Sequence, residues 1–265
     1  MIRLIAMDLD GTLLNSKKEI SRRNLEALDK AKEKGVCVTI ATGRMMNSAV
    51  HFGGLIGANA PLVCCNGGLV QKEGEPPVFT AVYDVKFAQE LMRYVLGEKK
   101  WYMQWHIGTE IYGTDFRPEY FYAYRTVPDF HIVEVGQNYL SHAEGIMQFV
   151  LRDLTGEHME EKLSDIKAKF PGRFEAVTNV DTVTDIMPIG ITKATGVEAL
   201  AKHLGLSRGE VMCCGDAEND LPMLEWAGTA VVPANGIQAA RDIADYIAPS
   251  CDEDAIADAV ERFVL

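Results

Sequence analysis

The sequence predicts an α/β protein built on a doubly wound parallel sheet and interrupted by an inserted α+β domain. Three observations predict it. Short apolar runs alternate with helix-period segments at both ends of the chain, the rhythm of βαβ units and of a parallel sheet. Between them the alternation lapses into short strand-like runs, with aromatics crowded from Trp101 to Phe130. The rhythm then returns after Asp185-Ile186-Met187-Pro188, so one sheet is begun, interrupted and completed. A chain of 265 residues that is 48% hydrophobic has enough apolar surface for a sizeable core and a second modest domain.

Each element follows from its local pattern. Residues 2–8, apolar but for Arg3 up to Asp8, form a buried strand. Residues 21–34 form a helix, with Leu25 and Leu28 on one face and Gly35 as its stop signal. A second strand spans 36–41, a helix 45–56, and a third strand 61–65 ends at the turn Asn66-Gly67-Gly68. Beyond this turn, 83–99 reads as a helix, 101–112, 131–135 and 145–151 as short strands, and 157–170 as another helix. The core rhythm resumes with a helix over 193–204, a strand over 211–214, a helix after Asp216, a strand over 229–232 and an amphipathic helix over 254–263. This assigns 1–83 and 187–265 to one core and 84–186 to an insert large enough to be its own domain. There is no internal repeat, low-complexity tract or long linker.

Composition narrows the function. Lys plus Arg total 26 against 38 Asp plus Glu, a formal charge of −12. That field repels nucleic acid and anionic membrane surfaces, so neither is expected as a partner. A small anionic substrate would need a metal ion or buried cations to offset charge at short range. No apolar stretch is long enough to span a bilayer, and the N-terminus enters a strand without the order of a signal peptide, so a cytoplasmic location is expected. The six cysteines, Cys37, Cys64, Cys65, Cys213, Cys214 and Cys251, lack the paired spacing of a zinc site and read as reduced thiols. Oligomeric state is not readable from the pattern, and a monomer is compatible with it.

The chemistry gathers where strands end. Asp8-Leu9-Asp10-Gly11-Thr12 follows the first strand, and ligands of open α/β sheets sit beyond the carboxyl ends of strands. One acid there can attack an electrophile while the other moves protons. A desolvated carboxylate also requires a cation beside it. Thr42, before Gly43-Arg44, places a hydroxyl and backbone N–H groups near a helix start, a combination that binds oxyanions. Taken alone, Thr-Gly after a strand is a capping signal, and Lys193 at the head of a helix is a solvated lysine. Asp216 lies just past a buried strand, with Asn219 and Asp220 one helical turn on. Gly53-Gly54-Leu55-Ile56-Gly57 imitates a dinucleotide loop but ends a helix instead of following a strand. The six histidines show no ligand spacing and receive no role. Trp101, Tyr102, Trp105, Tyr112, Phe116, Tyr120, Phe121 and Tyr124 are expected mainly in the core of the insert.

Asp-x-Asp-Gly-Thr, then Ala-Thr-Gly-Arg, a lysine, and Gly-Asp-x-x-Asn-Asp together resemble the four ordered motifs of the haloacid dehalogenase superfamily. The insert between the second and third motifs looks like that superfamily's class II, subtype B cap, which points to the Cof-type phosphatases. Asn66-Gly67 is similar to the turn this family places at the entry to the cap. The chain departs from the pattern at Ala194, usually Gly, at Pro233-Ala234-Asn235-Gly236, and at Asp252-Glu253-Asp254-Ala255.

The resemblance implies a Rossmann-like core under a mobile cap and a Mg²⁺-dependent phosphatase of small phosphorylated metabolites, sugar phosphates first. It makes Asp8 the nucleophile that forms an aspartyl-phosphate and Asp10 the general acid and base. Mg²⁺ would be held by Asp8, by the backbone carbonyl of Asp10 and by Asp216. Lys193 would share the phosphoryl charge, while Thr42, Gly43, Asn219 and the backbone of Leu9 hold phosphoryl oxygens. Asp220 would orient Lys193. Arg44, Arg117 and Arg125 are candidates for a second anionic group, and Arg44 and Asn66 for other substrate contacts. A phosphotransferase or phosphomutase would use the same intermediate. A phospho-receiver module also groups acids, a Thr and a Lys, but lacks a domain-sized insert.

Overall fold

The computed structural model describes residues 1–120 and 132–265. The chain forms two compact units, Met1–Thr80 with Thr192–Leu265, and Ala81–Ile191. The pattern sets the insert at 84 and 186.

The first strand, β1 (Leu4–Met7), is buried throughout. Helix α1 (Arg22–Glu33) starts at Ser21, whose side chain accepts the Asn24 N–H, and stops before Gly35 at φ +81°. Its buried face is Asn24, Ala27, Leu28 and Ala31. Leu25, expected there, is only half-buried. Asn24 takes the inner position because its Oδ1 accepts the Ala257 N–H at 2.8 Å, closing the start of the last helix. Strand β2 (Cys37–Ile40) and helix α2 (Met46–Leu55) follow as expected. Strand β3 (Leu62–Cys64) touches the main sheet through a single parallel bridge, Ala41 to Val63. It pairs instead with β4 (Leu69–Gln71), which pairs with β5 (Phe79–Thr80). These two strands are too short for sequence periodicity to register.

In the second unit, Asp84 caps α3 (Val85–Met92) by accepting the Phe87 N–H at 3.0 Å. The helix expected over 83–99 is in fact α3 followed by a π-helical turn, Arg93–Glu98. Then come β6 (Met103–Ile107), β7 (Glu110–Gly113), β8 (Ile132–Glu134), β9 (Ile146–Arg152), α4 (Met159–Lys169), β10 (Phe174–Val180) and β11 (Val183–Pro188). They form a six-stranded sheet in the order β10-β11-β9-β6-β7-β8. One sheet face carries Met103, Trp105, Phe149, Leu151 and Ile186, and it joins Phe87, Leu91 and Met92 of α3 and Met159 and Ile166 of α4 in one apolar core. Tyr102 and Trp105 are buried as expected, whereas Phe116 is exposed. Phe121, Tyr124, Arg125 and His131 lie outside the described residues.

The chain returns to the first unit through α5 (Lys193–His203), β12 (Val211–Cys214), α6 (Leu221–Trp226), β13 (Thr229–Pro233), α7 (Gln238–Asp242), β14 (Tyr246–Ala248) and α8 (Ala255–Phe263). The main sheet is five-stranded, in the order β14-β13-β12-β1-β2, with every pair parallel. Leu4 and Ala6 of β1 pack with Val197 and Leu200 of α5 and Met223 of α6. Strand alternation leaves Ile5 and Met7 for the other face, and α1 packs on α8. Because β1 lies between β12 and β2, the ends that carry Asp8, Asp216 and Thr42 are neighbours. All six cysteines are free thiols. No helix among the described residues is long and apolar enough to cross a membrane.

Candidate active site

Asp8 is the first residue past β1, and its amide donates to the Cys214 carbonyl at 2.9 Å, which ties it to the end of β12. Its carboxylate is buried, so a cation is required nearby. That cation is Lys193, the first residue of α5. The Lys193 ammonium donates to Asp8 Oδ1 at 2.6 Å and to Asp220 Oδ1 at 2.6 Å, and its side chain is wholly closed to solvent. A solvated helix lysine is thereby excluded.

The opening of α5 is held by a close approach. Gly67, at φ +93°, lies so near Thr192 that a Cβ would fall 1.9 Å from the Thr192 carbonyl oxygen. A Cβ on Gly196 would meet Val63 Cγ1 at 2.5 Å and Gly67 Cα at 2.8 Å. Only glycine at both positions lets the Asn66-Gly67 turn and α5 meet.

Asp220 uses both oxygens. Oδ1 takes Lys193, and Oδ2 accepts the N–H groups of Asp216 and Ala217 at 2.9 and 3.0 Å. It therefore shapes the loop that presents Asp216. The Thr12 hydroxyl donates to Asp216 Oδ1 at 2.6 Å. A Cβ on Gly11, at φ +86°, would sit 2.4 Å from Asp216 Oδ2, so glycine in the Asp-x-Asp-Gly-Thr turn is what admits the third acid. One carboxylate oxygen from each of Asp8, Asp216 and Asp220 lies within 4.8 Å of the others.

Such crowding is visible in the electrostatics. Burial raises the Asp8 carboxyl above the ordinary range; Lys193 pulls it back, while Asp220 and Asp216 push it further up. Asp216 is pushed up to about 6, by burial first, against the pull of the Thr12 hydrogen bond. Burial would release the Lys193 proton, but Asp220 and Asp8 raise its pKa and keep it charged. The oxygen donors and the excess of negative charge suit a hard divalent cation. With Asp220 engaged by Lys193 and two amides, Asp8 and Asp216 are the carboxylates left to face one.

Asp10 is placed differently. Its carboxylate receives Arg44 in a fork, Nε to Oδ2 at 3.0 Å and a terminal nitrogen to Oδ1 at 2.9 Å, and Lys18 Nζ at 2.8 Å. Burial works to raise its pKa, but Arg44 and then Lys18 hold it below the ordinary value. The side chain is thus not part of the three-acid group, although its backbone borders it through Gly11. Arg44 is held in turn over the Phe52 ring at 4.9 Å. Leu9 and Thr42 are buried and Gly43 half-buried. The Thr42 hydroxyl accepts the Arg44 N–H at 3.2 Å, and the Thr42 carbonyl accepts the Asn66 N–H at 3.1 Å. Asn219 Nδ2 donates to Asn66 Oδ1 at 3.0 Å. Arg117 pairs with Asp115 at 2.7 Å on the exposed surface of the insert.

Sequence reasoning gave no role to Thr12, Lys18 or Asn235. Thr12 stood inside the first motif and was the findable one. Asn235 Nδ2 donates to the Gly11 carbonyl at 2.8 Å, and its Oδ1 accepts the Cys251 N–H at 2.8 Å, so the departing Pro-Ala-Asn-Gly stretch still braces the first loop.

The family model of haloacid dehalogenase-like hydrolases matches residues 5–260. The chain belongs to this family, within its Cof-type phosphatase group. Among curated relatives, a chloroplastic endoribonuclease of Arabidopsis thaliana is 31% identical over 98% of this chain. This chain covers 46% of that protein, about half its length. A Bacillus subtilis 5-amino-6-(5-phospho-D-ribitylamino)uracil phosphatase is 28% identical over all of this chain and 96% of its own length. The crystal structure of a haloacid dehalogenase-like hydrolase from Bacteroides thetaiotaomicron superposes with a TM-score of 0.87 at 26% identity, covering 99% of each chain.

Proposed function

We propose that this chain is a cytoplasmic, Mg²⁺-dependent phosphomonoester hydrolase that acts on small phosphorylated metabolites, sugar phosphates first, through an aspartyl-phosphate on Asp8. The observation that carries the reading is Lys193, buried between Asp8 and Asp220 at the mouth of β1 with Asp216 alongside. A structural ion pair needs one acid for one lysine; three acids around a buried lysine leave negative charge that suits a cation and a phosphoryl group.

Asp8 and Asp216, with the Asp10 carbonyl, would hold Mg²⁺, which when bound offsets the repulsion between a carboxylate nucleophile and an anionic phosphoryl group. An Asp8 oxygen attacks phosphorus, a new P–O bond forms, and the ester P–O bond breaks. Asp10, turned from Arg44 and Lys18, protonates the departing alkoxide. It then takes a proton from the water that cleaves the aspartyl-phosphate, which restores Asp8 and releases inorganic phosphate. Lys193 shares the charge on the phosphoryl oxygens, and Asp220 fixes Lys193. Thr42, Gly43, Asn219 and the Leu9 amide hold the remaining oxygens, and residues 84–186 serve as the cap that selects the substrate. The ribityl phosphate named for the B. subtilis relative is one polyol example of the expected class.

Phosphate release from a panel of phosphorylated metabolites, with Mg²⁺ and with excess chelator, tests this. Release with Mg²⁺ and none in chelator is expected. Full activity in chelator would remove the metal from the account, and transfer to another sugar without free phosphate would make the chain a phosphotransferase.

A further inference from the structure

Lys18 stands at φ +63°, a left-handed conformation that lysine rarely adopts. The loop around it is closed on itself. Asn15 Oδ1 accepts the N–H groups of Lys17 and Glu19 at 3.0 and 2.9 Å. The Asn15 carbonyl accepts the Lys18 N–H at 2.9 Å, and the Asn15 N–H donates to the Glu19 carbonyl at 3.0 Å. An uncommon backbone conformation that its surroundings over-determine is a reason to look for function. This one carries the Lys18 ammonium to within 2.8 Å of Asp10 Oδ1.

Stability does not explain the arrangement. The side chains of Lys18 and Asp10 are 63% and 40% exposed, and ion pairs so open to water contribute little. Yet their separation is also fixed from outside the loop. Asp252 Oδ1 accepts the Ser16 N–H at 2.8 Å, which anchors the loop. The Cys251 N–H donates to Asn235 Oδ1, and Asn235 Nδ2 donates to the Gly11 carbonyl, next to Asp10. One turn, Cys251–Glu253, thereby braces both the loop that carries Lys18 and the turn that carries Asp10. The brace is made from residues 233–236 and 252–255, two of the places where the chain departs from the family pattern.

Asp10 is held from two sides, by the Arg44 fork and by Lys18, with its carboxylate outside the group formed by Asp8, Asp216 and Asp220. A carboxylate so engaged does not reach a reacting oxygen until those bonds are given up. Its use then scales with the fraction of molecules in which it is free.

We propose that Lys18 is a positioning residue that, with Arg44, parks Asp10 away from the reacting atoms, so that the braced 15–19 loop sets how often the general acid is available. This rests on the reading of Asp10 as acid and base and extends it to a loop and a brace that have had no role.

Lys18→Asn removes the ammonium and keeps the loop, because asparagine tolerates positive φ. The first turnover is followed by rapid mixing with saturating glycerol 3-phosphate, whose leaving group needs a proton, and with 4-nitrophenyl phosphate, whose leaving group hardly does. In Lys18→Asn the glycerol 3-phosphate step is expected to quicken about two- to five-fold, the effect of losing one exposed ion pair. The 4-nitrophenyl step should change much less, so the ratio of the two rates rises, while KM and the melting temperature hold. Lys18→Arg should restore the wild-type ratio, and Asp252→Ala, which frees the Ser16 N–H, should raise the ratio by a smaller factor. In an Asp10→Asn background, Lys18→Asn should leave the ratio where it is. A ratio that is unmoved or falls in Lys18→Asn, or that rises equally in the Asp10→Asn background, would overturn the proposal and leave Lys18 a surface charge. If Asp10→Asn slows glycerol 3-phosphate while Lys18→Asn leaves the ratio unmoved, the parking role alone fails. If Asp10→Asn turns over glycerol 3-phosphate at the wild-type rate, or the wild-type chain hydrolyses neither ester, the acid and base reading fails and the parking role falls with it.

Discussion

At the residue scale, the account turns on a lysine with no access to water. Its two bonds of 2.6 Å tie Asp8 and Asp220 together beside Asp216. Removing one partner of a buried ion pair leaves uncompensated charge, which typically costs about 3–5 kcal/mol. Lys193→Met should therefore lower the stability of the metal-free protein by about that amount in urea unfolding, and phosphate release should vanish. A loss below about 1 kcal/mol would mean that the bonds from Lys193 to Asp8 and Asp220 do not act as a buried ion pair. This lysine was legible only through the order of the motifs, because a lysine opening a helix is ordinarily a surface residue. Lys18 was not legible at all. It reaches Asp10 because the Asn15 side chain accepts the N–H groups of Lys17 and Glu19 and Lys18 takes φ +63°, a turn with no periodic signal.

At the element scale, what could be read tracks burial. Strands β1 and β12 are buried along their whole length, so their apolar runs stood out. Strands β4, β5 and β14 are two or three residues long, below what any window detects. The β10–β11 hairpin was missed because its strands mix Glu175, Thr178, Thr184 and Asp185 with apolar residues, and Asp185 is buried, which inverts the usual polar-out pattern. The link from β9 to α4 hangs on Asp153. Its Oδ1 accepts the Thr155 and Gly156 N–H groups at 3.1 Å each, and Lys162 donates to Oδ2 at 2.5 Å. Burial opposes the charged form, yet Lys162 and these amides hold the carboxyl down at about 2. A depressed folded value means that the stabilisation is complete above the unfolded value near 4 and is lost as pH falls through about 2. Asp153→Asn should thus lower the melting temperature at pH 7, and the gap to wild type should narrow between pH 4 and pH 2. A gap that stays constant over that range would show that the carboxylate charge contributes nothing.

At the scale of the whole molecule, the parallel order β14-β13-β12-β1-β2 turns residues far apart in sequence into neighbours. Residues 8, 42 and 216 stand at the ends of three adjacent strands, and α5 supplies Lys193. With a net charge of −12, the chain offers anions little long-range attraction, so the binding energy must come from this local group. The central claim is that Asp8 carries the phosphoryl group and Asp10 serves both halves of the reaction. Asp10→Asn separates those halves. An aryl phosphate with a weakly basic leaving group hardly needs the acid in the first step, but its second step still lacks a base. Positioned proton transfer contributes about a hundred- to ten-thousand-fold. The most direct measurement is therefore rapid mixing of Asp10→Asn with aryl and alkyl phosphates in Mg²⁺, with acid quench and mapping of the phosphorylated peptide. The account predicts a burst of phenolate, turnover slower by at least about a hundred-fold, and phosphate trapped on Asp8, with the alkyl ester slowed from its first step. Equal slowing of both esters, with no burst and no phosphate on Asp8, would contradict it.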